Sequence, residues 1–222
     1  MIVYGKNVVQ TLSALPHRLK KLWVQTGLDV PEGVKCPVDR LEKLALVEQF
    51  GDATQGYVAE IHPLPMHSLD WLLSQNPKRI VVLDGIMDPH NLGAIIRSAK
   101  AFHADALVMR KKRSAPISAV VYKASAGLIE HLPIVEVANI HQTLLTFKQH
   151  NIWTYGLAGE ATQTIRDLTP DAQMAWVLGN EGEGLSPLVK KTCDQLVKIP
   201  MHKDVESLNV SVAAAIALFQ TS

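Results

Sequence analysis

The sequence predicts an α/β protein in which a mostly parallel sheet follows a small α/β module. Three observations carry that prediction. From Ile80 onward, apolar runs of strand length alternate with segments of helical period, the pattern of a sheet whose parallel strands are joined by helices. Three of those strands run straight into turns built from glycine, asparagine and charge. Upstream, His62-Pro63-Leu64-Pro65-Met66-His67 holds two prolines that exclude regular structure and favour an extended connector.

The elements follow in order. In the leading module Ile2 to Tyr4 reads as a strand, Val8 to Leu15 as a short helix and Leu22 to Gln25 as a strand. Leu41 to Phe50 reads as a helix and Tyr57 to Ile61 as a closing strand. Residues 1–61 are therefore expected to form one unit, 62–77 a linker with a short helix at Leu69 to Leu73, and 78–222 the larger domain. In that domain strands are expected at Ile80 to Leu83, Ala106 to Met109, Ile134 to Val137, Trp153 to Leu157, Met174 to Leu178 and Leu196 to Ile199. Helices are expected at Leu92 to Phe102, Ile140 to Gln149, Pro187 to Thr192 and Leu208 to Gln220. The chain contains no internal repeat and no low-complexity tract.

Composition narrows the function classes without choosing one. A chain of 222 residues, 47% hydrophobic, can bury one substantial core and a smaller one. A net charge of +1 gives no global basic signature, so any nucleic-acid binding must rest on local patches. Cys36 and Cys193 form no Cys-x-x-Cys pair and have no histidines at metal-ligand spacing, so a reducing compartment and no metal are expected. The first residues lack a basic leader, and the longest apolar stretch, Val212 to Phe219, is too short to span a bilayer. The expectation is a soluble cytoplasmic protein without a membrane partner.

The three turns carry the chemistry. They are Asp88-Pro89-His90-Asn91-Leu92-Gly93 running on to Arg97, Gly179-Asn180-Glu181-Gly182-Glu183-Gly184, and Ile199-Pro200-Met201 leading to Ser207-Leu208-Asn209-Val210. Each lies between a strand and a helix, where an open α/β sheet binds its ligands, so one composite site is expected. In the first, Asn91 is suited to cap a helix starting at Leu92, and Arg97 falls opposite the apolar stripe of Leu92, Ile95, Ile96 and Ala99. By itself an arginine there is better explained as a solvated surface residue, since the turn does not demand one. In the second, the glycines let the backbone wrap a ligand closely, while Glu181 and Glu183 argue against phosphate and suit a cationic or hydroxyl-bearing group. This is not the dinucleotide fingerprint, which needs its glycines in the first β-α unit. In the third, Ser207 reads as a helix N-cap and, with Asn209, presents a hydroxyl and an amide at the crevice mouth.

Taken in order and spacing, the three turns resemble the signature motifs of the SpoU/TrmH family of RNA ribose 2'-O-methyltransferases, in the SPOUT superfamily. The resemblance runs from Arg79 to Phe219 and includes Ser211-Val212-Ala213. Val3-Tyr4-Gly5, Gln55-Gly56, Arg113-Ser114-Ala115, Ser125-Ala126-Gly127 and Leu132-Pro133 are similar to the RlmB-type branch, whose members carry a ribosomal-protein-like substrate-binding domain and modify guanosine in large-subunit ribosomal RNA. The resemblance implies a C-terminal trefoil knot, S-adenosylmethionine bound bent within it, and a homodimer with its site near the interface. Carried over by residue, it implies donor contacts at Gly179, Ile199 and Leu208, and a catalytic constellation of Asn91, Arg97, Glu181, Ser207 and Asn209. Lys203 stands where such chains usually have glycine, and Lys6-Asn7 and Thr54 also depart from the pattern, which bears on the RNA target rather than the reaction.

RNA needs cations, and Arg110-Lys111-Lys112-Arg113 follows a predicted strand on the motif-bearing edge, with His17, Arg18, Lys20 and Lys21 in the leading module. Short charge runs are also commonly just solvated loops. The expected activity is methyl transfer to a ribose hydroxyl of 23S ribosomal RNA. The alternatives are a transfer-RNA ribose methyltransferase, a small-molecule enzyme, and a non-catalytic RNA-binding protein of the same fold.

Overall fold

The structure is a computed structural model that describes residues 1–222. The leading segment folds as β1 (Ile2–Tyr4), α1 (Lys6–Ser13), β2 (Leu19–Gln25), β3 (Val38–Leu41), α2 (Lys43–Phe50) and β4 (Tyr57–Ile61). Its four strands lie in the order β1-β4-β2-β3, antiparallel except for the β2–β3 pair. The expected helix from Leu41 therefore begins two residues later, because Val38–Leu41 extends against Leu22–Gln25 as an exposed edge strand. Alternation there is masked by Asp39 and Arg40, which face solvent.

The rest of the chain continues as α3 (Leu69–Ser74), β5 (Arg79–Asp84), α4 (Pro89–Ala101), β6 (Ala106–Arg110), α5 (Ala119–Ala124), β7 (Ile134–Val137) and α6 (Ile140–Gln149). It ends with β8 (Trp153–Leu157), β9 (Gln163–Thr164), β10 (Met174–Gly179), α7 (Pro187–Thr192), β11 (Gln195–Lys198) and α8 (Val210–Gln220). Seven strands form one parallel sheet in the order β7-β6-β5-β10-β8-β11-β9. α5, of six residues, and β9, of two, are additions to the sequence reading, each too short to repeat its period twice. The central strands are buried on both faces: Val81, Leu83, Trp176 and Leu178 enter one apolar cluster, and Ile80, Val82, Ala175 and Val177 the other. That two-sided burial is why their sequences read as unbroken apolar runs.

Two helix starts differ from expectation. Asp88, not Asn91, caps α4, accepting from His90 N at 3.0 Å, with Pro89 in the first turn. α8 starts at Val210, with Asn209 rather than Ser207 as its cap. In both cases the chain enters the helix at the residue whose carboxylate or amide reaches a free N–H, and Asn91 is left inside α4 with its side chain available.

The leading unit shares its core with the sheet. Val3, Val8, Leu12 and Leu22 belong to the same apolar cluster as Ile95, Val121 and Ile129. Where the two parts meet, Arg18 is only 5% exposed. Its Nε and Nη2 donate to Glu130 Oε2 and Oε1 at 2.7 and 3.1 Å, and its Nη1 and Nη2 also donate to the carbonyls of Pro63 and His62. Tyr122 donates to Glu130 Oε1 at 2.7 Å. Burial works against the charge of Arg18, but the hydrogen bonds and attraction from Glu130 outweigh it and its pKa is raised. Burial first, and Glu130 second, push the Tyr122 hydroxyl well above the usual phenol range. Arg18 is thus a structural clamp rather than part of an RNA-facing cluster. Lys20 and Lys21 are partly exposed and lie near Glu60 and Asp39.

Breaking a buried pair from one side strands a charge, whereas an exposed pair contributes little. Arg18→Ala is expected to lower unfolding free energy by about 3–5 kcal/mol, and Lys20→Ala by about 1 kcal/mol or less, both read from urea denaturation.

Candidate active site

β10 sits beside β5 in parallel register, with Gly179 next to Asp84 at the carboxyl ends of the two strands. From β5 the chain moves outward through β6 and β7, while β10 has β8 on its other side, so the connections diverge at this junction. Such a switch point opens a crevice. The turn after β10 curls tightly there. A Cβ on Gly179 would meet the carbonyl carbon of Gly184 at 2.1 Å, so the residue must be glycine for this curl to close. Asn180 and Gly184 exchange backbone hydrogen bonds of 3.0 and 2.9 Å. The Asn180 side chain accepts from Gly182 N at 2.8 Å and donates to Gly85 O at 3.0 Å, tying the curl to the end of β5.

Three side chains then join the three turns. Asn91 Nδ2 donates to Glu181 Oε1 at 2.6 Å, and Asn209 Nδ2 donates to Asn91 Oδ1 at 3.0 Å. Asn209 Oδ1 in turn accepts from Ser211 N at 2.9 Å and Ser211 Oγ at 2.6 Å. The orientation of each amide is fixed by the next group in the chain. Glu181 uses one carboxylate oxygen for Asn91 and keeps the other for a hydroxyl or cation.

Beside this chain lies a cleft of about 290 Å³. Gly179, Ile199 and Leu208, the residues expected to contact the methyl donor, all line it, as do Glu181 and Ser207. Asn91 and Asn209 stand at its edge through the hydrogen bonds just described. Arg97 does not join them: it is exposed on α4, six residues beyond Asn91. Lys111, Lys112 and Arg113 are exposed just after β6, whereas Arg110 is turned inward and ion-paired with the buried carboxylate of Asp84. Arg110 is thus set apart from the solvated cations that follow it.

The cleft also includes Leu157 at the end of β8, Ala158 and Gly159 just beyond it, and Glu206 and Lys198. Sequence reasoning did not single these out. The one available signal was a glycine two residues past an apolar strand, weaker than the asparagine-rich turns. Apolar walls, exposed glycine backbone and an excess of carboxylates over the single Lys198 fit a flat aromatic group joined to a cation better than a polyphosphate. Cys193, packed beneath Gly156, is not part of this chemistry, since burial pushes its thiol up to about 12.

The model of the SpoU rRNA Methylase family matches residues 78–219. The chain belongs to that family. Its members transfer methyl groups from S-adenosylmethionine to RNA, and the protein is such an enzyme. Among its relatives are the 23S rRNA (guanosine-2'-O-)-methyltransferases RlmB of Vibrio cholerae, 42% identical over 234 residues covering 99% of this chain and 95% of the relative, and of Haemophilus influenzae, 38% identical over 236 residues covering 98% and 95%. The fold is similar to that of the SpoU methyltransferase AviRb from Streptomyces viridochromogenes, with a TM-score of 0.81 at 24% identity over 99% of this chain and 87% of that one. A second AviRb structure, in complex with the cofactor AdoMet, has a TM-score of 0.77 at 22% identity, covering 99% and 88%. Family membership and the lining of the cleft thus agree on the methyl donor.

Substituting Gly179 tests the curl. Gly179→Ala is expected to cost about 1–3 kcal/mol of stability by forcing the Gly184 backbone away, and to weaken donor binding measured by calorimetry. Gly182→Ala, whose Cβ would meet nothing closer than Asn180 Oδ1 at 3.6 Å, should stay within about 0.5 kcal/mol of wild type.

Proposed function

We propose that the protein transfers a methyl group from S-adenosylmethionine to the ribose 2'-hydroxyl of a guanosine in 23S ribosomal RNA. The single observation that carries this reading is the Glu181–Asn91–Asn209 chain, which joins all three family turns beside one donor-sized cleft. RlmB relatives that match nearly the whole chain, leading unit included, favour ribosomal over transfer RNA.

Bound S-adenosylmethionine supplies an electrophilic methyl carbon on a sulfonium that leaves readily. The remaining work is alignment and charge. Gly179, Ile199 and Leu208 would hold the donor by backbone groups and apolar contact, and Ser207 with the free oxygen of Glu181 orients the attacking hydroxyl, which loses its proton to surrounding water as its oxygen takes the methyl group. Asn91 fixes Glu181, and Asn209 fixes Asn91. We assign Arg97, with its planar fork of donors, to the adjacent phosphate and to the negative charge that develops on the ribose oxygen. Lys111, Lys112 and Arg113 neutralise flanking phosphates. The leading unit, residues 1–61, selects the RNA, and the clamp from Arg18 to Glu130 holds it in one orientation to the catalytic domain.

Two further features belong to this proposal. Late-arriving β10 between β5 and β8, and the return of α8 to pack on α4, support a C-terminal segment threaded as a trefoil knot, an exception to ordinary chain topology. α8 also exposes Val212 at 47% and Phe219 at 68%, with Ile216 between them on the same face. An apolar helix face of this kind supports a two-fold homodimer, and Arg97 on neighbouring α4 would then lie close to the interface.

Arg97→Ala is expected to lower single-turnover methylation of a 23S rRNA fragment roughly 100-fold or more under saturating donor while donor binding persists. Arg97→Lys should recover little if the planar fork is required. Wild-type turnover in Arg97→Ala would remove Arg97 from the site. Phe219→Asp is expected to convert a dimer to a monomer in light scattering at micromolar concentration. A fully active wild-type monomer would contradict the assembly.

A further inference from the structure

The corner formed by Asp84, Gly85 and Ile86 at the end of β5 holds two segments at once. Toward the cleft, Asp84 Oδ2 accepts from Ser186 N at 2.9 Å and Gly85 O accepts from Asn180 Nδ2 at 3.0 Å, so both ends of the Gly179–Gly184 curl hang from it. Toward the basic segment, Asp84 Oδ1 pairs with Arg110, and Ile86 O accepts from Ala115 N at 2.8 Å. The four residues between these last two anchors, 111–114, include the three exposed cations.

The Arg110–Asp84 pair has an unusual form. An arginine facing a carboxylate normally engages both oxygens through Nε and Nη2, as Arg18 does with Glu130. Here only Nη2 is paired, because Oδ2 is occupied by the backbone N–H of Ser186, and Arg110 Nε is buried without a partner. An unsatisfied buried donor is costly, yet the arrangement keeps the carboxylate divided between the basic segment and the donor loop. Asp84 is 4% exposed, so without Arg110 its charge would be buried and uncompensated, and the gain of hydration would draw the carboxylate outward and off Ser186.

We infer that Arg110 is a positioning residue of the methyl-donor loop, acting through Asp84, and not an RNA-contacting residue like Lys111, Lys112 and Arg113. The inference rests on the reading of the cleft as the donor site. Since the pairing is one-pronged, a lysine ammonium can replace it. Because the same corner bears the residues that face RNA, cations and donor loop keep a fixed spacing.

The test compares Arg110→Ala, Arg110→Lys and Lys112→Ala, each confirmed as folded by circular dichroism. Calorimetry measures S-adenosylmethionine affinity, and amide hydrogen exchange follows residues 182–186 in donor-free protein. Arg110→Ala is expected to weaken donor affinity about tenfold or more and to speed exchange at Ser186. Arg110→Lys should restore affinity to within about threefold, the range of ordinary context dependence for a charged hydrogen bond. Lys112→Ala should leave both readouts unchanged and weaken RNA binding alone. Should Arg110→Ala fail to fold, Arg110→Gln, which keeps a neutral donor but leaves the Asp84 charge uncompensated, takes its place and must show weaker donor affinity and faster exchange at Ser186. Wild-type donor affinity and exchange in the Arg110 variants, with loss confined to RNA binding, would overturn the inference. A wild-type protein that bound no donor would instead overturn the reading of the cleft, while the exchange measurement would still decide the role of Arg110.

Discussion

The candidate site of this protein depends on how closely two backbone segments approach at one strand junction. Gly179 lies beside Asp84 where β10 meets β5, and the curl that follows leaves no space for a side chain. The approach lets Asn180 reach Gly85 and Ser186 reach Asp84, which fixes the curl at both ends. Glu181 is then carried to Asn91, and through it to Asn209, so a packing constraint at a single glycine organises polar groups from three separate turns. The parallel sheet supplies the rigidity. Its central strands are buried on both faces and cannot shift to relieve the crowding.

Charge is distributed unevenly around that junction. The carboxylates gather in the cleft, where Glu181, Glu183 and Glu206 outnumber Lys198, while exposed lysines and an arginine follow β6. In the proposed function a cationic donor and an anionic polymer are thereby directed to different places. A total charge of only +1 is no obstacle to RNA recognition when the local field is this divided. The leading unit contributes differently, through a shared apolar core and the buried Arg18–Glu130 pair. Such a pair gives modest net stability but strongly disfavours any other orientation of the two parts.

Much of this was legible in the sequence, and the exceptions have identifiable causes. The strands from Ile80, Ile134, Trp153 and Met174 were readable because two-sided burial demands continuous apolar runs. Gly179, Ile199 and Leu208 were singled out by the family resemblance of the turns that hold them, and all three line the cleft. The helix starts were misjudged at Asn91 and Ser207, since several residues in each turn can cap and only the chain's path decides which N–H is left over. Arg18 and Arg110 were read as members of basic clusters. Their partners, Glu130 and Asp84, lie 112 and 26 residues away, and no local pattern announces a long-range ion pair. By its local sequence Arg97 read most simply as a solvated helix residue, and the structure places it exposed on α4, outside the lining of the cleft.

The central claim is that this arrangement methylates one ribose of large-subunit ribosomal RNA. It is tested most directly by mapping 2'-O-methylation across all RNA from cells with and without the gene, and from deleted cells given back the wild-type or the Arg97→Ala protein. The account predicts that a single guanosine in 23S rRNA loses its methyl group on deletion and regains it only with the wild-type protein. Loss of a transfer-RNA methylation instead, or an unchanged map, would contradict it.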